Sequence, residues 1–180
     1  MSELHHIVVV GGGAGGLELV TQLGDRLGKS KKAKITLVDQ KLTHVWKPLL
    51  HEIAAGTMNA SDEETNYYAH AAKHHYEFVL GRFEELVQDS KHIVLTKTQN
   101  SKYECSQQYS LSYDTLILAV GSVSNDFNTS GVSEFCHYLD SRQQAENFQQ
   151  DLLNLYLDSQ NDTVQRDLYI AIIGAGATGV

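Results

Sequence analysis

A continuous apolar run, a glycine cluster and a helical repeat open the chain. Ile7 to Val10 is the kind of β-branched run found in a parallel strand that is covered on both faces. From Gly15 to Leu27 apolar residues recur at helical spacing, and Gly28 supplies a stop signal. Ile35 to Val38 is a second buried run, which ends at Asp39. The pattern predicts a βαβ unit with two parallel strands.

The middle of the chain predicts less regular structure. Residues 44–75 mix aromatic residues, histidines and the only proline, and they indicate irregular chain followed by a helix around Asn66 to His75. The polar stretch from Asn100 to Ser112 is typical of a loop. A small antiparallel meander is expected from three short runs that are alternating or β-branched: Glu77 to Leu80, Phe83 to Val87 and His92 to Thr98.

The last third of the chain predicts two more strands and a helix. Thr115 to Val120 has the pattern of a buried strand, and Leu168 to Ile173 has that of another. Between them, Asp140 or Ser141 is suited to cap a helix. One face of that helix carries its apolar residues, Ala145, Phe148, Leu152, Leu155 and Tyr156. The element order predicts an α/β fold with a Rossmann-like parallel sheet and a small antiparallel meander.

The glycine cluster lies where the first predicted strand meets the first predicted helix. Gly11 permits a tight turn, Gly13 lets the backbone approach a pyrophosphate, and Gly16 allows the helix to pack closely on the strand. Asp39, at the end of the second strand, is positioned to accept hydrogen bonds from an adenosine ribose. The phosphates would be held by free amides at the helix start, in a segment that also contains Ala14 and Gly15. These features predict a dinucleotide site.

A second glycine fingerprint follows the last predicted strand. It reads GAGATG and contains Gly174, Gly176 and Gly179. Between the two fingerprints, the segment from Asp114 to Gly121 reads DTLILAVG, a strand ending at a glycine where backbone can run close to a cofactor. Two dinucleotide sites in one chain suggest electron transfer in which a nicotinamide passes hydride to a flavin.

Composition and charge exclude several classes of protein. The chain has 180 residues, 42% of them apolar, which excludes a disordered tail, and its formal charge of −8 makes nucleic acid an unfavourable partner. No apolar run approaches the roughly 20 residues that span a bilayer. The N-terminus lacks a secretion signal, and the two distant cysteines, Cys105 and Cys136, fit free thiols in a reducing, intracellular compartment.

The fingerprints, Asp39 and the LAVGS segment together resemble the flavoprotein oxidoreductases with two dinucleotide-binding domains. More narrowly, HVWKPLLHEIAAG at residues 44–56 and YAHAA at residues 68–72 resemble the type II NADH:quinone dehydrogenases. The resemblance implies that the first fingerprint binds FAD and the second binds NADH. It also implies further contacts with FAD, from Lys47, Pro48 and Leu49 beside the flavin and from Ala119 and Gly121 along the diphosphate-adenosine half.

The same resemblance predicts a domain organisation and a place in the cell. Residues 1–125 would be the N-terminal part of a discontinuous FAD-binding domain, residues 126–165 a connection with a helix, and residues 166–180 the start of the NAD(P)H-binding domain. The native protein would then be longer than this chain, and the fragment alone need not be active. Its remaining regions would supply the quinone pocket and attach it to the inner face of the cell membrane. A homodimer is compatible with this organisation.

Two other functions remain open at this point. A soluble relative would pass electrons from NAD(P)H to a small redox protein such as rubredoxin or ferredoxin. A nucleotide-sensing flavoprotein of low turnover would use the same sites for signalling. Thiol chemistry beside the flavin is not expected, because no cysteine precedes Cys105.

No catalytic residue and no metal ligand is assigned. His70 and His74 are four apart on a predicted helix, but no third ligand has a telling spacing, so a solvated helix face is the better interpretation. A helix through Leu49 to Ala54 would leave His51 and Glu52 on its flank, where local hydrogen bonding is expected rather than proton transfer.

Overall fold

The structure is a computed structural model, and it describes residues 4–59, 61, 64–97, 107–161 and 169–174. The chain forms two compact units, one made of Met1–His44 and Glu64–Gly121 and the other of Val45–Glu63 and Ser122–Val180. The helices and strands of the described residues are, in chain order, β1 (His5–Val10), α1 (Ala14–Leu23), β2 (Ala33–Asp39), β3 (Thr43–His44), α2 (Leu50–Ala55), β4 (Thr65–Asn66), α3 (Tyr67–Lys73), β5 (Glu77–Leu80), β6 (Arg82–Val87), β7 (His92–Thr96), β8 (Gln108–Ser112), β9 (Thr115–Leu118), α4 (Val132–Phe135) and α5 (Arg142–Asn161).

A four-stranded parallel sheet forms the centre of the first unit. Its strand order is β5-β2-β1-β9, and β1 and β2 pair in parallel with Ile7 opposite Ile35. The connection between them carries α1, so the predicted βαβ unit is confirmed. Because the strands are parallel, the ends of β1 and β2 that lead into Gly11 and Asp39 lie at the same edge of the sheet.

Both faces of this sheet are covered, which explains its unbroken apolar runs. On one face Val9 and Leu37 pack with Val20 of α1 and with residues of α3. On the other face Val8 and Val38 pack against the three-stranded antiparallel sheet β6-β7-β8. These five apolar residues all come from the two strands and the helix that the sequence predicted, and each is fully buried.

Two predictions for the antiparallel meander are wrong. Glu77 to Leu80 is not part of it but pairs in parallel with β2, where Phe78 extends the core of the main sheet. The third strand of the meander is β8, which lies in the stretch predicted as a polar loop. In β8, Tyr109 and Leu111 alternate with polar residues and pack on the core. That alternation is typical of an edge strand with one solvated face.

The ends of several elements also differ from the prediction. Helix α1 begins at Ala14, and its last turn widens into a π-helix over Gly24–Gly28. There, the missing side chains of Gly24 and Gly28 leave room for the carbonyls of residues 74 and 75. Strand β9 ends at Leu118 rather than at residue 120. It is not fully buried, because it lies at the edge of the sheet, and Leu118 is 52% exposed.

The second unit is helical in the part that the structure describes. A 3-10 turn over Lys47–Leu49 leads into α2, and the expected helix α5 packs on it through Ile53 and Ala145. The hydroxyl of Ser141 accepts a hydrogen bond from the amide of Gln144 at 3.3 Å, which confirms the predicted cap of α5.

Two expectations for this unit are wrong. The predicted apolar face of α5 is buried only near its start, since Leu155 and Tyr156 are 51% and 58% exposed. Residues 169–173, predicted as a strand, have no regular secondary structure; the rest of that prediction, Leu168, lies outside the described residues. A strand requires a hydrogen-bonded neighbour, and none of the three sheets of the described residues includes this segment. No helix within the described ranges is long and apolar enough to cross a membrane.

Candidate dinucleotide site

The glycine turn between β1 and α1 packs tightly on the chain that leaves β9. Gly11 has a φ of +104°, which favours glycine, and a Cβ at this position would overlap the carbonyl of Ala119. A Cβ on Gly16 would overlap the carbonyl of Gly11 and lie 3.3 Å from the Cβ of Ala119. The structure therefore brings Gly11, Gly16 and Ala119 together in one close contact.

The other side of the same turn is open. A Cβ built on Gly13 or on Gly15 meets no described atom within 4 Å. Both residues are exposed, as is Ala14, and α1 begins directly after Gly13. The first amides of a helix have no partner within the helix and carry its positive dipole end. The open side of this turn is thus able to receive an anionic group such as a pyrophosphate.

Asp39 connects the end of β2 to the glycine turn. Its Oδ2 accepts a hydrogen bond from the amide of Gly12 at 2.7 Å, and its Oδ1 accepts one from the amide of Lys41 at 2.8 Å. Each carboxylate oxygen can accept a further hydrogen bond. Asp39 also lines a cavity of about 260 Å³ at this edge of the sheet, together with residues of the first unit that include Gly11, Gly81, Arg82, Phe83 and Val120.

Sequence reasoning missed Gly81, Arg82 and Phe83. They line the cavity because β5 lies beside β2 in the parallel sheet, and the amide of Gly81 donates to the carbonyl of Asp39 at 2.9 Å. The signal was present in the glycine that follows the run at residues 77–80. That glycine indicates a cofactor edge only if the run belongs to the parallel sheet, as it does here, and not to the meander.

Sequence reasoning also missed Tyr67 and His44, whose side chains both approach the carbonyl of Gly12 in the glycine turn. The Tyr67 hydroxyl donates to the carbonyl of Gly12 at 2.6 Å, and the side chain is buried. Burial, and then the negative charge of Asp39, raises the pKa of this hydroxyl far above its usual range, so it stays a donor. Burial lowers the pKa of His44, while Asp39 and the Gly12 carbonyl act in the opposite direction.

Three of the predicted flavin neighbours belong to the second unit. Lys47, Pro48 and Leu49 form its 3-10 turn, and the Lys47 ammonium donates to the Ser122 carbonyl at 2.7 Å. It also lies 3.9 Å from Oδ1 of Asp140. The Lys47 side chain is 54% exposed, so its ammonium can also donate to the acceptors of a bound group.

The remaining predicted glycines differ in what the structure describes of them. Gly121 is exposed, has a φ of +75°, and a Cβ there would meet no described atom within 4 Å. Gly174 has a φ of +109°, close to the φ of +104° at Gly11, so the first glycine of each fingerprint has a positive φ that favours glycine. Gly176 and Gly179 lie outside the described residues.

The histidines that invited other interpretations are bonded within the protein. His70 is hydrogen-bonded to the Tyr76 hydroxyl at 3.0 Å, and His74 to Asp25 at 3.0 Å. The two imidazole rings stack with centroids 4.3 Å apart. Among the described residues no group of three metal-ligating side chains gathers.

Comparison with known proteins finds relatives over nearly the whole chain. Residues 5–180 match the family model described as pyridine nucleotide-disulphide oxidoreductase. The chain is 41% identical, over 98% of its length, to a type II NADH:quinone oxidoreductase of Haemophilus influenzae, and 28% identical to one of Staphylococcus epidermidis. It spans 44% and 41% of the lengths of these relatives. A solved structure of NDH2 from Plasmodium falciparum superposes with a TM-score of 0.74 at 19% identity, covering 90% of this chain and 31% of that one.

Proposed function

The chain belongs to the pyridine nucleotide-disulphide oxidoreductase family, and we propose that it is the N-terminal part of a flavoenzyme that passes electrons from NADH to quinone. The observation that carries the proposal is the 41% identity to a type II NADH:quinone oxidoreductase over 98% of the chain. The absence of any cysteine before Cys105 supports an acceptor other than a disulfide.

The glycine turn fits FAD in its shape and in its donors. The open side at Gly13, Ala14 and Gly15 would hold the pyrophosphate with helix-start amides. Asp39 would accept hydrogen bonds from the ribose, and the cavity beside it has room for the adenine end. Gly11 and Gly16 would act by packing, since they leave the turn close to Ala119. Bound there, FAD supplies the two-electron chemistry that NADH oxidation requires.

The remaining assignments concern the flavin and the second dinucleotide. Lys47, Pro48 and Leu49 would border the ring system, where the exposed ammonium offers a positive charge to flavin oxygens. Gly121 would contribute its open backbone to the adenosine half. The positive φ of Gly174, like that of Gly11, supports a second nucleotide site for NADH, continued by Gly176 and Gly179.

The proposal extends to the whole protein. Residues 1–125 would belong to the FAD-binding domain, residues 126–165 would connect, and residues 166–180 would begin the NADH-binding domain. The relatives are more than twice as long as the part that this chain matches, and regions beyond that part would supply the quinone pocket and attach the protein to the inner face of the cell membrane. A homodimer is part of the same proposal.

An acceptor assay with the full-length native protein tests this function. NADH oxidation is followed anaerobically at 340 nm with a soluble short-chain quinone, with rubredoxin, with ferredoxin, and with no acceptor. We expect rapid turnover only when the quinone is the acceptor, and a dissociation constant for FAD that rises roughly ten- to hundredfold in Asp39→Ala. Turnover that requires rubredoxin or ferredoxin would support the soluble reductase, and negligible turnover with every acceptor would support a nucleotide-sensing flavoprotein.

A further inference from the structure

The backbone of Gly12 is held at both of its polar groups, which belong to the two peptide units on either side of its Cα. Its amide donates to the carboxylate of Asp39 at 2.7 Å, and its carbonyl accepts from the hydroxyl of Tyr67 at 2.6 Å. Gly12 is buried and lies between Gly11 and Gly13, the residues that shape the glycine turn. The Gly12 carbonyl shares its peptide plane with the Gly13 amide, so the hydrogen bond from Tyr67 also fixes the direction of that amide.

Tyr67 is itself fixed, so its hydroxyl is a firm anchor. Its amide donates to the carbonyl of Leu42 at 3.0 Å, and its ring stacks on Phe78 with centroids 5.0 Å apart. The side chain is 2% exposed and belongs to the core of the first unit. A side chain that is locked by packing can hold a functional group within a narrow range of positions.

The same contact explains why position 12 is a glycine. A Cβ on Gly12 would overlap the hydroxyl and the ring of Tyr67. The fingerprint itself needs glycine at positions 11, 13 and 16, where it serves the turn, the pyrophosphate and helix packing. The glycine at position 12 instead serves the approach of Tyr67 from α3.

We propose that Tyr67 is a positioning residue of the FAD site, which holds the Gly12–Gly13 peptide so that the Gly13 amide and the helix-start amides after it already face the pyrophosphate before FAD binds. The inference rests on the proposed function, because it requires FAD at this turn. Without the hydroxyl, the Gly12 carbonyl loses its donor in a buried place and the peptide rotates to find another. Part of the binding free energy of FAD is then used to restore the orientation of this peptide, so FAD binds more weakly.

The test compares Tyr67→Phe with Tyr76→Phe in the full-length protein. Tyr76 is a matched control, because it is also buried and its hydroxyl is bonded to His70 at 3.0 Å, away from the glycine turn. FAD is removed, and its dissociation constant is measured from the quenching of flavin fluorescence during titration. Amide hydrogen exchange over residues 11–17 is measured on the flavin-free proteins.

We expect the dissociation constant of FAD to rise roughly tenfold in Tyr67→Phe and to stay within about twofold in Tyr76→Phe. Exchange at residues 11–17 should be faster in Tyr67→Phe alone, while thermal unfolding of the two flavin-free variants is similar. An unchanged FAD affinity in Tyr67→Phe, or an equal loss in both variants, would overturn the positioning role. A wild-type protein that does not bind FAD would instead overturn the proposed function.

Discussion

Gly15 and Gly16 are adjacent in α1, yet alanine at the two positions should change stability in opposite directions. A Cβ on Gly15 meets open space, whereas a Cβ on Gly16 would overlap the carbonyl of Gly11. The pair therefore separates a glycine that the fold requires from one that it does not. Both substitutions add the same single methyl group to the same helix.

The expected magnitudes follow from these surroundings. Alanine at position 15 gains helix propensity and restricts the unfolded chain, which should raise the free energy of unfolding by about 0.5–1 kcal/mol. At position 16 the overlap is with main chain, and Gly11 cannot retreat freely because its amide donates to the Val38 carbonyl at 2.8 Å. Overpacking of this kind costs roughly 1–3 kcal/mol and sometimes more, which outweighs the propensity gain.

Urea unfolding of the flavin-free full-length proteins, followed by far-UV circular dichroism, measures both changes. FAD titration of the same samples supplies the second half of the prediction. Gly15→Ala should bind FAD more weakly although it is more stable, because its methyl group enters the space left for the pyrophosphate. A Gly16→Ala protein as stable as wild type would refute the packing argument. A Gly15→Ala protein with undiminished FAD affinity would refute the placement of the pyrophosphate.

Three further changes test other parts of the structure. Lys47→Met loses the hydrogen bond to the Ser122 carbonyl, but because Lys47 is half-exposed the free energy of unfolding should fall by less than about 1 kcal/mol in urea titrations. Ile53→Ala empties a buried site between α2 and α5 and should cost roughly 2–4 kcal/mol in the same assay, so a loss below about 1 kcal/mol would contradict the described core. Burial lowers the pKa of His44 below 6.5, so the unfolded chain takes up that proton first and stability should fall as pH drops through about 6.5. Because burial also lowers the pKa of His6 and of His70, His44→Gln should make this fall smaller without abolishing it, and an unchanged slope would count against the role of His44.

The sequence was most informative where local pattern and global fold agree. The run at Ile7 to Val10, the glycine cluster and Asp39 predicted the parallel pair and the edge of the sheet at which they meet. Each of these signals is local, since it depends on residues close together in the chain. The helix face at Ala145 and Phe148 was predicted for the same reason.

The sequence was least informative where the partner is distant. Glu77 to Leu80 has the same short apolar pattern in a parallel sheet as in a meander, so the pattern could not assign its neighbour. Tyr67 lies 55 residues from Gly12, and no spacing rule connects a helix-start tyrosine with a glycine turn. Leu155 and Tyr156 continue an apolar stripe that the described residues leave exposed, and periodicity indicates a face without indicating its partner.

The visible absorption spectrum of the full-length native protein, recorded anaerobically before and after one equivalent of NADH, tests the central claim most directly. We predict a flavin band in the untreated protein that bleaches when NADH is added and returns when a soluble quinone is supplied. A colourless protein, or a flavin band that NADH leaves unchanged, would contradict the assignment of the glycine turn to FAD in an NADH-oxidising enzyme.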